Sequence, residues 1–157
     1  MIQRIQTIFL FLIVLAMGAF LSFPIWDKVG TRSTETAQLS ALQYSYQQGI
    51  TTYITPMWYL AGLAGLVAVI ALIAIFRYRN RLQQMGLCAV NALLMTGMMA
   101  IVLYTTLYKG KTYGLTEDQG NYHTGFYALI AALIFNMLAN RFIRRDEKLV
   151  RDSDRFR

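Results

Sequence analysis

Residues 57–76 read MWYLAGLAGLVAVIALIAIF, with no charged side chain from Met57 to Phe76. A hydrocarbon layer about 30 Å thick takes about 20 such residues to cross as a helix, so this stretch is read as a membrane span. Trp58 and Tyr59 form an aromatic rim at its start. Pro56, just ahead, suits a first helical turn, where a missing N–H costs little. Ala61, Gly62, Ala64, Gly65 and Ala68 bring small residues to one side. Ala61, Gly65 and Ala68 are the expected helix-packing face, because small residues let two backbones approach closely in lipid.

Working outward, three more apolar stretches lack acidic and basic side chains, at about 6–26, 84–108 and 124–140. The short turn holding Arg77, Arg79 and Arg81 makes the second and third spans an antiparallel hairpin. The first stretch follows Arg4, as a signal peptide would. Its length and its ending, Ser22-Phe23-Pro24-Ile25-Trp26, instead predict a retained span with Trp26 as an interfacial anchor. The chain has 157 residues, 56% of them hydrophobic and 15% charged, and a mean hydropathy of +0.40. One membrane domain uses up that length. The expected fold is all-α: an integral membrane four-helix bundle with outer loops at 27–56 and 109–123 and a charged C-terminal helix over 141–157. Within the first loop, Thr51-Thr52-Tyr53-Ile54-Thr55 has strand composition. Residues 33–48 fit a short helix or a loop on the membrane surface equally well.

Charge sets the orientation. Of the 15 Lys and Arg, eleven flank the ends on one side: Arg4, Arg77, Arg79, Arg81, Arg141, Arg144, Arg145, Lys148, Arg151, Arg155 and Arg157. Only Lys28, Arg32, Lys109 and Lys111 fall in the longer loops, where Asp27, Glu35, Glu117 and Asp118 cancel them. The whole net charge of +7 therefore lies on the side read as cytoplasmic, with both termini. Anionic headgroups are the expected partners of that face. Nucleic acid is not, because the cations flank spans rather than gather on a soluble fold.

The tail, NRFIRRDEKLVRDSDRFR from Asn140 to Arg157, reads as a helix with Glu147–Arg151 and Lys148–Asp152 at i,i+4 spacing. Arg144, Arg145, Glu147, Arg151 and Arg155 are its expected contacts to headgroups or to a partner. The opening Met1-Ile2-Gln3-Arg4-Ile5-Gln6 and the ending Arg144-Arg145-Asp146-Glu147-Lys148-Leu149-Val150-Arg151, followed by Ser153, Asp154, Arg155 and Arg157, resemble an uncharacterised bacterial membrane family, domain of unknown function family 4293. The resemblance covers the whole length. It implies a four-span protein of the bacterial cytoplasmic (inner) membrane, and brings no activity, cofactor or catalytic residue with it.

Catalytic chemistry finds little to work with. The single histidine, His123, has only carboxylates beside it, short of the three or four ligands a zinc site needs. Glu117-Asp118 reads as a solvated turn. The hydroxyls lack a buried base. The single cysteine, Cys88, reads as buried filler and rules out an intrachain disulfide. No cofactor or metal is expected. Asn91 and Asn136 lie at matching depth inside the cytoplasmic boundary and are expected to make an interhelical polar contact, by pairing with each other or by separately reaching backbone or water. The reading is a non-catalytic accessory or assembly subunit of a larger inner-membrane complex, with a membrane-protein partner or further copies of itself. A small oligomeric transporter or channel is the alternative, weakened by the missing intramembrane carboxylate. A lipid-modifying enzyme fits least.

Overall fold

The computed structural model describes residues 2–30, 35–78, 80–109 and 120–155, with side chains placed for 5–30, 35–78, 80–109 and 120–150. Helix α1 (Ile2–Ser22) leads to strands β1 (Trp26–Val29), β2 (Glu35–Leu39), β3 (Gln43–Gln48) and β4 (Thr51–Pro56). Helices α2 (Trp58–Phe76) and α3 (Arg81–Tyr104) follow, and α3 is prolonged by a wide π-helical turn, Thr105–Lys109. A two-residue strand β5 (Asn121–Tyr122) precedes α4 (Thr124–Arg155).

Among the described residues four helices are long and apolar enough to cross a membrane. α1 packs on α2 and α4, and α3 packs on the same two, so the helices form a ring. Each buries only a stripe. On α2 it is Leu60, Ala64, Val67, Ala71 and Ala74. On α3 it is Gln84, Cys88, Asn91, Met95, Met98 and Val102. The outward faces carry Phe11, Leu15, Leu66, Val69, Leu93 and Met137, all exposed. A soluble helix puts polar residues on its outer face; here that face is apolar, which is compatible with lipid. Asn80 caps α3 by accepting a hydrogen bond from the Gln83 N–H at 3.2 Å, which satisfies one orphan donor of the first turn.

The all-α expectation is overturned by a five-stranded antiparallel sheet in the order β4-β3-β2-β1-β5. It sits where α1 and α3 end and α2 and α4 begin. Both expectations for residues 35–48, a short helix or a surface loop, give way to β2 and β3. The strand composition at 51–55 does become a strand, β4. The physical reason is alternation. Ala37, Leu39, Tyr44 and Tyr46 are buried against the bundle, while Thr36, Gln38, Gln43 and Gln47 face outward. One buried face on an antiparallel sheet leaves the segment polar in composition.

Element ends shift accordingly. α1 stops at Ser22, since Pro24 cannot continue a helix and biases Phe23 away from helical geometry. Trp26 is 0% exposed and belongs to β1, so it is a core residue rather than an interfacial anchor. Its row across the inner face runs Tyr122, Trp26, Leu39, Tyr44, Thr55. Pro56 ends β4 opposite Gln43, and Met57, not Pro56, leads into α2. The fourth span and the tail as far as Arg155 are one continuous helix. The sheet is tied to α4 by His123 N–H donating to the Ile25 carbonyl and Gly125 N–H to the Pro24 carbonyl, both at 3.0 Å. Gly120, at φ +72°, lies against the Trp26 indole, where a β-carbon would come within 2.8 Å of the ring.

Candidate functional site

Four amide side chains cross between helices in the half of the bundle away from the sheet. Gln6 Nε2 on α1 donates to the Phe142 carbonyl on α4 at 3.2 Å. Asn136 Nδ2 on α4 donates to the Cys88 carbonyl on α3 at 2.9 Å. Asn91 Nδ2 and Gln84 Nε2 on α3 donate to the Val67 and Ala74 carbonyls on α2, at 3.3 Å and 3.1 Å. All four side chains are buried. Each donor thus meets a backbone carbonyl of the next helix around the ring.

Asn91 and Asn136 both make interhelical contacts, but not with each other: their Oδ1 atoms have no hydrogen-bond partner. Asn136 takes a carbonyl about one turn before Asn91, and Asn91 turns to α2. Such bonds in membrane bundles contribute about 0.6–2 kcal/mol each. Asn91→Leu and Asn136→Leu are each expected to lose that amount in unfolding titrations from mixed micelles. The double variant should be additive within about 0.5 kcal/mol, as for sites without a shared bond. Stronger coupling would show that the two amides act as one unit.

The tail does not leave the bundle at residue 140. Ile143 is fully buried, and the Phe142 ring stacks on Phe9 with centroids 5.6 Å apart. Arg81 Nη1 donates to the Asp146 carbonyl at 2.8 Å, and Arg81 Nη2 lies 3.2 Å from Asp146 Oδ2. Asp146 is the contact that sequence reasoning missed; the acidic pair Asp146-Glu147 after Arg144-Arg145, opposite the Arg81 turn, was its signal. Arg144 and Arg145 are exposed and Glu147 is half-buried. The side chains of Arg151 and Arg155 lie outside those described.

The small-residue strip sits one position off the buried stripe. Ala64 is in the stripe, Ala61 and Ala68 are half-buried at its margin, and a β-carbon on Gly65 would meet nothing within 4 Å. His123 Nε2 lies 2.8 Å from Asp27 Oδ1, joining β1 to the start of α4. Among the described residues no three His, Cys, Asp or Glu gather as a metal site. Glu117 and Asp118 lie outside them. Cys88 is a buried free thiol.

The surface that sequence reasoning did not find is the open edge of β4. Every residue of Thr51–Pro56 is exposed, and among the described residues β4 pairs only with β3.

A family model described as Domain of unknown function (DUF4293) matches residues 2–156. The chain belongs to that family. No curated protein matches it. DUF4293 is an uncharacterised family.

Proposed function

We propose that this DUF4293 protein is a non-catalytic accessory or assembly subunit of a larger complex in the bacterial cytoplasmic membrane. Its helices cross four times, both termini are cytoplasmic and the sheet lies on the opposite side. The Lys and Arg distribution supports that orientation. The exposed Arg144 and Arg145 would then face anionic headgroups of the inner leaflet.

The observation that carries the reading is β4. Natural edge strands are usually blunted by charge, by proline or by brevity. Thr51-Thr52-Tyr53-Ile54-Thr55 has no charged residue, and its flanking Pro56 comes only at the strand's end. The Gln48↔Thr51 pair closes a two-residue hairpin. Gly49 at φ +61°, with no positive φ at Ile50, matches the first central position of a type II′ turn. Hydrogen-bonded pairs alternate from that closing pair, so the N–H groups of Thr52 and Ile54 point to the open edge. An extended segment of a partner protein adding there as a sixth strand is the fitting contact.

A photo-crosslinking residue at position 54, in native membranes, is expected to give an adduct with a different protein. Thr52→Pro removes one outward donor and no β3 bond, and should abolish that adduct while the fold survives. An adduct only with a second copy would replace this reading with a homo-oligomer. A monodisperse monomer without adduct in gentle detergent would defeat it.

A further inference from the structure

On the β4 side the sheet is left uncovered, with every residue of the strand exposed. Thr55 and Tyr53 lie on the same face as Tyr44 and Tyr46, their cross-strand partners, yet Tyr53 is exposed. Beneath them the wide turn Thr105–Lys109 closes a cleft of about 260 Å³, lined by Tyr44, Tyr46, Tyr53, Thr55, Tyr104, Tyr108 and Lys109. Tyr104 and Tyr108 stack at its wall, centroids 5.3 Å apart and planes 10° apart. Single π-helical turns are uncommon and often mark functional positions.

A second groove, of about 380 Å³, adjoins it. Tyr59, Ala100, Ile101 and Thr105 line it together with Tyr104 and Lys109, which belong to both clefts. It is mostly apolar and runs between α2 and α3, on the face read as meeting lipid. Among the described residues Lys109 is the only cation lining either cleft. It ends the third membrane-crossing helix, at headgroup depth. No side chain caps the first turn of α2 beside it, and a helix N-terminus favours an anion.

We propose that these two clefts form one site for an anionic phospholipid. Its phosphate would meet Lys109 and the tyrosine hydroxyls, and one acyl chain would lie along Tyr59, Ala100 and Ile101. A polar chamber holding a cation and opening into an apolar trough at the bilayer boundary has the two-part chemistry of such a lipid. A free phosphate would leave the trough unfilled, and a peptide strand would use the β4 edge rather than the space below it. The site stands independently of any protein partner at that edge.

The full chain, purified in mild detergent and exchanged with dioleoyl phosphatidylglycerol, is expected to retain one lipid per chain in native mass spectrometry. Lys109→Ala should weaken that retention about fivefold, the effect of one basic residue at a headgroup. Ala100→Trp, which fills the trough and keeps Lys109, should weaken it too. Phosphatidylcholine should be held less well, and millimolar inorganic phosphate should not displace the lipid. A double variant at the other end, Arg144→Ala with Arg145→Ala, should keep it. The proposal is overturned if both cleft variants hold the lipid as the parent chain does. It is equally overturned if phosphate strips the lipid, if phosphatidylcholine is held as well, or if the tail variant releases it.

Discussion

Trp26→Ala is expected to destabilise the protein by about 3–5 kcal/mol, the range for emptying a large buried aromatic site. The indole is fully buried. It holds the row that joins β5, β1 and β2 to the bundle, and it is the surface against which Gly120 turns. Removing it opens a cavity where β1 meets both β2 and β5. Residues 27–56 should become cleavable by protease while the helices persist. The control is Trp58→Ala. Trp58 is 72% exposed, and surface changes of that kind usually stay within about 0.5 kcal/mol. Denaturant titration of both variants decides the matter: equal losses would mean that the two tryptophans are both interfacial anchors after all.

Gly125→Ala should cost about 1–3 kcal/mol, the usual penalty of an extra carbon in a tight site, and Gly125→Leu more. A β-carbon there would stand 2.8 Å from the carbonyl oxygens of both Phe23 and Pro24, and 3.1 Å from Ile25 Cγ1. Two of those atoms are backbone and cannot swing aside. The linker between α1 and β1 would have to move, and the hydrogen bond from Gly125 N–H to the Pro24 carbonyl would go with it. Gly62→Ala is the matched comparison, because a β-carbon there meets nothing within 4 Å and alanine is the better helix former. Its unfolding midpoint should hold or rise slightly. A Gly125→Ala midpoint as high as that of Gly62→Ala would show that the close approach of α4 to the linker is not maintained in solution.

The helices were legible because each stretch states its own preference: about 20 contiguous apolar residues suffice. The sheet was not. Its strands are short, from two to six residues, and their buried positions are filled largely by Ala and Tyr, which signal burial weakly. Strand β5 has meaning only beside β1, a partner distant in the chain. The amide site was half legible. Depth along a span follows from counting residues, so Asn91 and Asn136 were found at similar height. Their acceptors depend on how each helix is rotated about its axis, and one residue of rotation is about 100° at 3.6 residues per turn. The same rotation centres the buried stripe of α2 on Ala64, Val67 and Ala71, with Ala61 and Ala68 packed at its margin.

Family membership, the number of apolar helices and the one-sided charge were all written in the linear chain, because transfer into hydrocarbon is a sum over neighbouring residues that needs no partner. Tertiary structure decided that β1 to β5 form one sheet, that Trp26 lies inside and that α4 continues from the fourth span as far as Arg155. Those outcomes rest on contacts between distant segments, whose stabilisation appears only once both sides are in place.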